Sequence, residues 1–289
     1  MLIVKMVGGL ANKMFQYSLY QSLIHAGKDA YIDNESFVPK WDFENIGLQQ
    51  VFPRLDMRYA AKSAIQKLAG GQDVISKARR RMPFLSKKSY IRELSFGYNP
   101  TLFALEGDYY LEGCWQSEKY FQNIKNRIRG DFTFSGLTDR KNISLVDTFS
   151  QKESVSIHVR KGADYVRSNT DGTCNKDYYE RAVQYINQRI QNPRFFVFTD
   201  NPSWVKNNLL NIEYTLIDWN PVSGPSSFLD MQLMSQCKHN IIANSTYSWW
   251  GAWLNPNPHK IVVGPKQWFS SAATHYDTAD ILSEEWISM

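Results

Sequence analysis

Residues 194–217 read RFFVFTDNPSWVKNNLLNIEYTLI. The run Phe195-Phe196-Val197-Phe198 is aromatic and β-branched and stops at a polar turn, Thr199-Asp200-Asn201. This pattern predicts a buried strand. The segment PSWVKNNLL, residues 202–210, then carries the helix. YTLI, residues 214–217, returns to strand.

Outward from this strand–helix–strand unit the same alternation continues. SVSIHVR (154–160) predicts a strand and NKDYYERAVQYINQRI (175–190) a helix. Downstream come a helix in SSFLDMQLMSQC (226–237), a strand in NIIANS (240–245), a helix in TYSWWGAWL (246–254) and a strand in KIVVGP (260–265). Repeated βα alternation implies a mostly parallel, doubly wound sheet. The chain opens in kind: LIVKM (2–6), the turn Gly8-Gly9, helical spacing to Gly27 and AYIDN (30–34) form a βαβ unit. Between 36 and 135 the pattern gives only a helix near 58–69 and a strand at 109–113. The polar stretch SGLTDRKNISLVD (135–147) predicts the boundary, dividing the chain into 1–145 and 146–289. The expected class is α/β, with two Rossmann-like halves.

The 289 residues are 43% hydrophobic and 14% aromatic, which suits folded domains and not a disordered chain. The opening MLIVKMVGG has no basic leader, and no apolar window is long enough for a span, so a cytoplasmic protein is expected. Cys114, Cys174 and Cys237 are widely spaced with no C-x-x-C, which predicts reduced thiols and no zinc site. Seven Lys/Arg and no acid fall between Val74 and Arg92. That run is a solvated face, or it contacts an anionic membrane surface at the inner face of the inner membrane or a lipid-linked acceptor; nucleic acid is not expected as a partner.

In open α/β sheets ligands bind beyond the carboxyl ends of the strands. Those positions hold His158, Arg160 and Lys161, then Asp200, then Asn244, Ser245 and Thr246. A guanidinium, an ammonium, hydroxyls and a helix N-terminus at one edge suit a diphosphate. Ser245 and Thr246 either point at that anion or cap the helix; Asp200 either meets a ribose or base edge or serves as a cap. No D-x-D, Walker A or G-x-G-x-x-G motif occurs, so no metal is expected. Trp249 and Trp253, four apart, should share a packed face, with Trp250 turned toward solvent or an inter-domain cleft.

GGLANKMFQYSLYQSL (8–23), SIHVRKGADYV (156–166), FVFTDNPSWV (196–205) and DMQLMSQCKHNIIANSTYSWWGAWLNP (230–256) resemble successive motifs of bacterial α-1,2-fucosyltransferases. The resemblance implies a GT-B type fold, two βα domains facing across a cleft, with an acceptor-side domain at 1–145 and a GDP-fucose-binding domain at 146–289. It implies metal-independent, inverting transfer of fucose from GDP-fucose to a terminal galactoside, in a setting such as surface-polysaccharide (O-antigen) assembly; the basic run at 74–92 would suit a polyprenyl-diphosphate-linked acceptor. By the same resemblance Arg160, with His158 and Lys161, binds the diphosphate, Asp200 guanine or ribose, Asn244, Ser245 and Thr246 phosphate, and Asn12 faces the reaction centre while Gly8 and Gly9 permit close backbone approach. Asp164 either accepts the acceptor's proton or holds its loop. Two departures stand out: GLANK replaces the family's usual GLGNQ and RKGADY its RRGDY, so Lys161 stands for an arginine and Ala163 is inserted. Lysine lacks the bidentate fork. The alternatives are transfer to another linkage, and a non-catalytic carbohydrate- or nucleotide-binding protein.

Overall fold

The computed structural model describes residues 1–34, 47–71, 73–82, 87–162, 173–209, 211–270 and 276–289. The chain forms two compact units, Met1–Thr133 with Ala279–Ile281, and Phe134–Thr278 with Leu282–Met289. They part at Thr133/Phe134, earlier than the expected 145/146. The reason is local. The polar stretch expected to hold the boundary runs into the helix Arg140–Gln151, whose N-cap Asp139 accepts from the N–H groups of Lys141 and Asn142. Leu145 and Phe149 on this helix are buried, and Phe149 meets Phe196 edge-on at 4.7 Å. The helix therefore belongs to the second core.

In the first unit β1 (Leu2–Lys5), β2 (Ala30–Asp33), β3 (Tyr90–Arg92) and β4 (Tyr109–Glu112) pair in the order β2-β1-β4-β3, all parallel. Helix Leu10–His25 follows β1 and is buried over nearly its whole length. Helix Lys62–Ala69 buries Ile65 and Leu68 against Ile3, Tyr90 and Tyr110. β3 and a helix at Val74–Arg81 escaped the sequence reading, one being three residues long and the other lacking a core-facing pattern.

The second unit is a six-stranded parallel sheet. Its strands are β5 (Glu153–Val159), β6 (Pro193–Thr199), β7 (Tyr214–Ile217), β8 (His239–Ile241), β9 (Val262–Gly264) and β10 (Ile287–Ser288), in the order β10-β9-β8-β5-β6-β7. The chain starts at the centre with β5, runs outward through β6 and β7, then crosses back to β8. This is the strand order of dinucleotide-binding folds, and the crossing leaves a crevice at the carboxyl ends of β5 and β8. Val155, Ile157 and Val159 of β5 are fully buried, as expected for a central parallel strand covered on both faces.

Two helices hold that edge. Lys176–Asn187 places Tyr178, whose hydroxyl donates to the Ile242 carbonyl at 2.6 Å, and Tyr179, which donates to His158 O at 3.0 Å. Helix Thr246–Leu254 is fixed at its far end by Lys260, whose ammonium donates to the carbonyls of Ala252, Trp253 and Asn255, a cation where the helix dipole is negative. Trp249, Trp250 and Trp253 are all buried. Trp249 and Trp253 stack at 6.3 Å, and Trp250 meets both edge-on at 5.0 and 5.3 Å. The expectation that Trp250 faces solvent or a cleft is corrected: its ring is fully buried, as are those of Trp249 and Trp253. The helix expected at 226–237 is confined to Leu229–Met234, because the Ser227 carbonyl is taken by Tyr247 and that of Met234 by Asn240.

Candidate active site

β5 and β8 run in register with Ile157 opposite Ile241. Three residues on, Arg160 and Asn244 leave the sheet side by side. A second link is direct: the His158 ring lies 5.7 Å from the ring of Tyr247, in the first turn of helix Thr246–Leu254. Buried Cys174 is a third, its thiol interacting with both the Asn244 N–H and the Lys161 cation, although burial dominates and pushes it up to about 12. The structure thus gathers His158, Arg160, Lys161, Asn244, Ser245 and Thr246 at the edge between β5 and β8.

Asp200, at the end of β6, is bound from two sides. Arg160 Nη1 donates to Oδ2 at 2.7 Å, and the Lys161 N–H donates to Oδ1 at 2.7 Å. Asn201 caps helix Pro202–Asn208 through Trp204 N and donates its side-chain amide to Lys161 O. So Asn201 is the cap, and Asp200 is the post that holds the Arg160-Lys161 loop. The Lys161 ammonium lies 5.3 Å over the Trp204 ring. Arg160 is one-third exposed and Asp200 nearly enclosed, which presents the guanidinium outward from an anchored base.

Ser245 is the N-cap of helix Thr246–Leu254, yet its side chain makes no capping bond. The positive end of the helix dipole lies at this edge, where it favours an anion. Asn244 is buried and its amide donates to Trp268 O at 2.9 Å, tying the edge to the loop after β9. His158 is 5% exposed, and its Nδ1 has no hydrogen-bond partner among the described residues. Burial, reinforced by Arg160, lowers its pKa to about 3, so the imidazole is neutral at physiological pH.

The two glycines of the first unit's turn take different conformations. Gly8 occupies the left-handed region, with φ +84; Gly9 is extended and caps helix Leu10–His25 with φ −66. A Cβ on Gly8 would stand 2.8 Å from Asn12 Nδ2. Asn12 Oδ1 in turn accepts from Gln116 Nε2 at 3.0 Å. Gln16 binds Val7 on both sides of its peptide and donates to Gly113 O at 2.9 Å, joining the turns after β1 and β4. Trp115, in the second of these turns, has φ 55 and is held by Glu93, which accepts from the N–H groups of Cys114 and Trp115. Backbone held in this region is a marker of functional turns.

Gln116, Tyr247 and Asp230 were not singled out from sequence. Tyr247 donates to Ser227 O and accepts from Met231 N at 2.8 Å, so it joins the β5 edge to the segment carrying Asp230. Burial raises Asp230 to about 6, and its described partner is Asn220 Nδ2 at 2.7 Å. Only the Thr246-Tyr247 adjacency was a signal for any of the three. Asp164 lies outside the described residues, as does Ala163. Among the described residues no cluster of His, Cys, Asp and Glu could hold a metal ion, and no helix is long and apolar enough to cross a membrane.

A family model for glycosyl transferase family 11 matches residues 85–289. The chain belongs to this family. Over almost its whole length this family 11 glycosyltransferase is similar to an α-1,2-colitosyltransferase of Escherichia coli, 31% identical over 99% of this chain and 97% of the relative. It is also similar to the O-antigen biosynthesis glycosyltransferase WbnK of Escherichia coli, 29% identical over 98% of each. Among solved structures, NodZ α-1,6-fucosyltransferase co-crystallised with GDP superposes with a TM-score of 0.52 at 14% identity, covering 88% of this chain and 92% of that one. The fold of this glycosyltransferase is of the GT-B type, with two parallel-sheet units.

Proposed function

We propose that this glycosyltransferase transfers L-fucose from GDP-β-L-fucose to the 2-hydroxyl of a terminal galactoside, forming an α-1,2 linkage with inversion, in the assembly of a surface polysaccharide such as O-antigen. The observation that carries this reading is the edge between β5 and β8, where Arg160 is anchored on Asp200 at 2.7 Å and its strand neighbour His158 lies 5.7 Å from Tyr247 in the first turn of helix Thr246–Leu254. As the glycosidic bond breaks, negative charge grows on the departing diphosphate. A fixed guanidinium, the Lys161 ammonium, the hydroxyls of Ser245 and Thr246 and a helix N-terminus stabilise that charge more than the ground state. In this reading the second unit binds the donor and the first the acceptor. Asn12 guides the acceptor hydroxyl, and Asp164 is the candidate to receive its proton.

We take these cationic and dipolar groups to fill the place of a metal ion, so turnover should persist in EDTA. A second reading keeps the linkage and changes the donor: similarity to an α-1,2-colitosyltransferase along nearly the full chain favours colitose, which lacks the 3-hydroxyl of fucose. Turnover of GDP-fucose and GDP-colitose against galactosides of different aglycone, with the linkage assigned by NMR, separates the two. Absence of transfer from either donor to any galactoside would refute both.

A further inference from the structure

Helix Val74–Arg81 is turned inside out. An amphipathic helix packed on a protein hides its apolar stripe, and this one shows it. Val74 is 82% exposed, Ile75 66% and Met82, at the helix end, 43%. At 100° per residue, Val74, Ile75, Ala78 and Met82 lie along one side, and all four are exposed. The opposite side carries Ser76 and Arg80, both half-buried. Arg80 Nη1 donates to the carbonyls of Ala69 and Gly71 at 3.0 and 2.8 Å. An arginine, not a leucine, thus fastens the helix to its unit, and Asp73 caps its start through Ser76 N.

The surroundings are cationic. Arg79 borders the apolar stripe and is exposed, as is Lys88; Lys87 donates to the carbonyls of Gln66 and Lys67 at the end of helix Lys62–Ala69. From Val74 to Arg92 seven basic residues occur with no acid. Outward apolar side chains flanked by basic ones match an interface where lipid tails begin just beneath phosphates. A nucleic acid would use the charge and leave Val74 and Ile75 unexplained. A solvated face would not keep its apolar side outward.

We propose that helix Val74–Arg81 docks this protein on an anionic phospholipid surface, with Val74, Ile75 and Met82 entering the headgroup boundary and Arg79 and Lys88 meeting lipid phosphates. The proposal concerns a lipid surface and is independent of which sugar is transferred.

The test is co-sedimentation of the full chain with phosphatidylglycerol/phosphatidylethanolamine vesicles, against phosphatidylcholine vesicles, at low and high salt. Retention on the anionic vesicles and release by salt are expected. Ile75→Asp and Arg79→Glu should each lower the bound fraction about fivefold or more, while Ile75→Leu retains it. Because both positions are exposed, the variants should keep the far-ultraviolet circular dichroism of the parent, which checks that lost binding is not lost folding. No retention on anionic vesicles at low salt, or unaltered retention by folded Ile75→Asp, overturns the proposal. Retention on duplex DNA that Arg79→Glu abolishes, with none on vesicles, overturns it in favour of a nucleic-acid surface.

Discussion

Arg160 Nη1 and Asp200 Oδ2 stand 2.7 Å apart across the ends of two neighbouring strands, and the other oxygen of the same carboxylate holds the N–H of Lys161. One acidic side chain therefore sets both the direction of the guanidinium and the path of its loop. Asp200→Ala should lower kcat/KM for the donor by about 10²-fold. Arg160→Ala should cost about 10²-fold or more in kcat, and Arg160→Lys should recover little of it, because an ammonium cannot reproduce the planar fork. Steady-state kinetics with varied donor check both. Unimpaired turnover by Arg160→Ala would remove the guanidinium from the reaction.

His158 makes stability depend on pH. Its folded pKa is about 3 against an ordinary 6.5, so below pH 6.5 the unfolded chain takes up a proton that the folded one refuses. Stability contributed by the neutral ring is intact above 6.5 and falls as pH drops from there toward 3, amounting to about 2 kcal/mol at pH 5. His239 is lowered too, chiefly by burial, and acts in the same sense. Urea unfolding of wild type and His158→Gln from pH 7.5 to 5 should give a flatter slope for the variant, whatever its absolute stability.

Asp230 acts in the opposite sense. Burial raises its carboxyl to about 6 from 3.8, so its charge costs the folded state up to about 3 kcal/mol above pH 6, a penalty relieved as pH falls toward 3.8. Asp230→Asn should therefore raise the melting temperature at pH 8 and leave it nearly unchanged at pH 4. A functional role for the charge would appear as reduced donor affinity in the same stabilised variant, measured by calorimetric titration with GDP.

Gly8 should tolerate no side chain. Its φ of +84 and the 2.8 Å approach of Asn12 Nδ2 to an added Cβ mean that Gly8→Ala strains the turn and displaces Asn12. A loss of about 1 to 2 kcal/mol in stability is expected. If Asn12 works where we place it, Gln116→Leu, which removes its partner at 3.0 Å, lowers kcat while the melting temperature moves far less than in Gly8→Ala. Equal kcat in Gln116→Leu and wild type would place Asn12 outside the reaction.

The edge of the second sheet was legible because its signals are local. Strand runs such as Phe195–Phe198 and polar turns after them fix where each strand stops, and a parallel sheet sends every stop to the same edge. Helix Arg140–Gln151 was hidden by its polarity: two buried apolar positions, Leu145 and Phe149, are too few to outweigh Asp139, Arg140, Lys141 and Asn142 in a pattern. Trp250 was misjudged for a related reason, since helical spacing separates one face from another but cannot tell that both faces are covered.

By itself the sequence determined the βα alternation, the parallel sheets and the residues ending each strand, since hydrophobic period and turn chemistry act over a few neighbouring residues. Only the tertiary structure decided that Asp200 clasps Arg160, that His158 is neutral, that Gly8 takes the left-handed conformation, and that Val74 and Ile75 look outward. Each of these depends on partners brought close by strand order and packing, across separations in the chain to which a local pattern is blind.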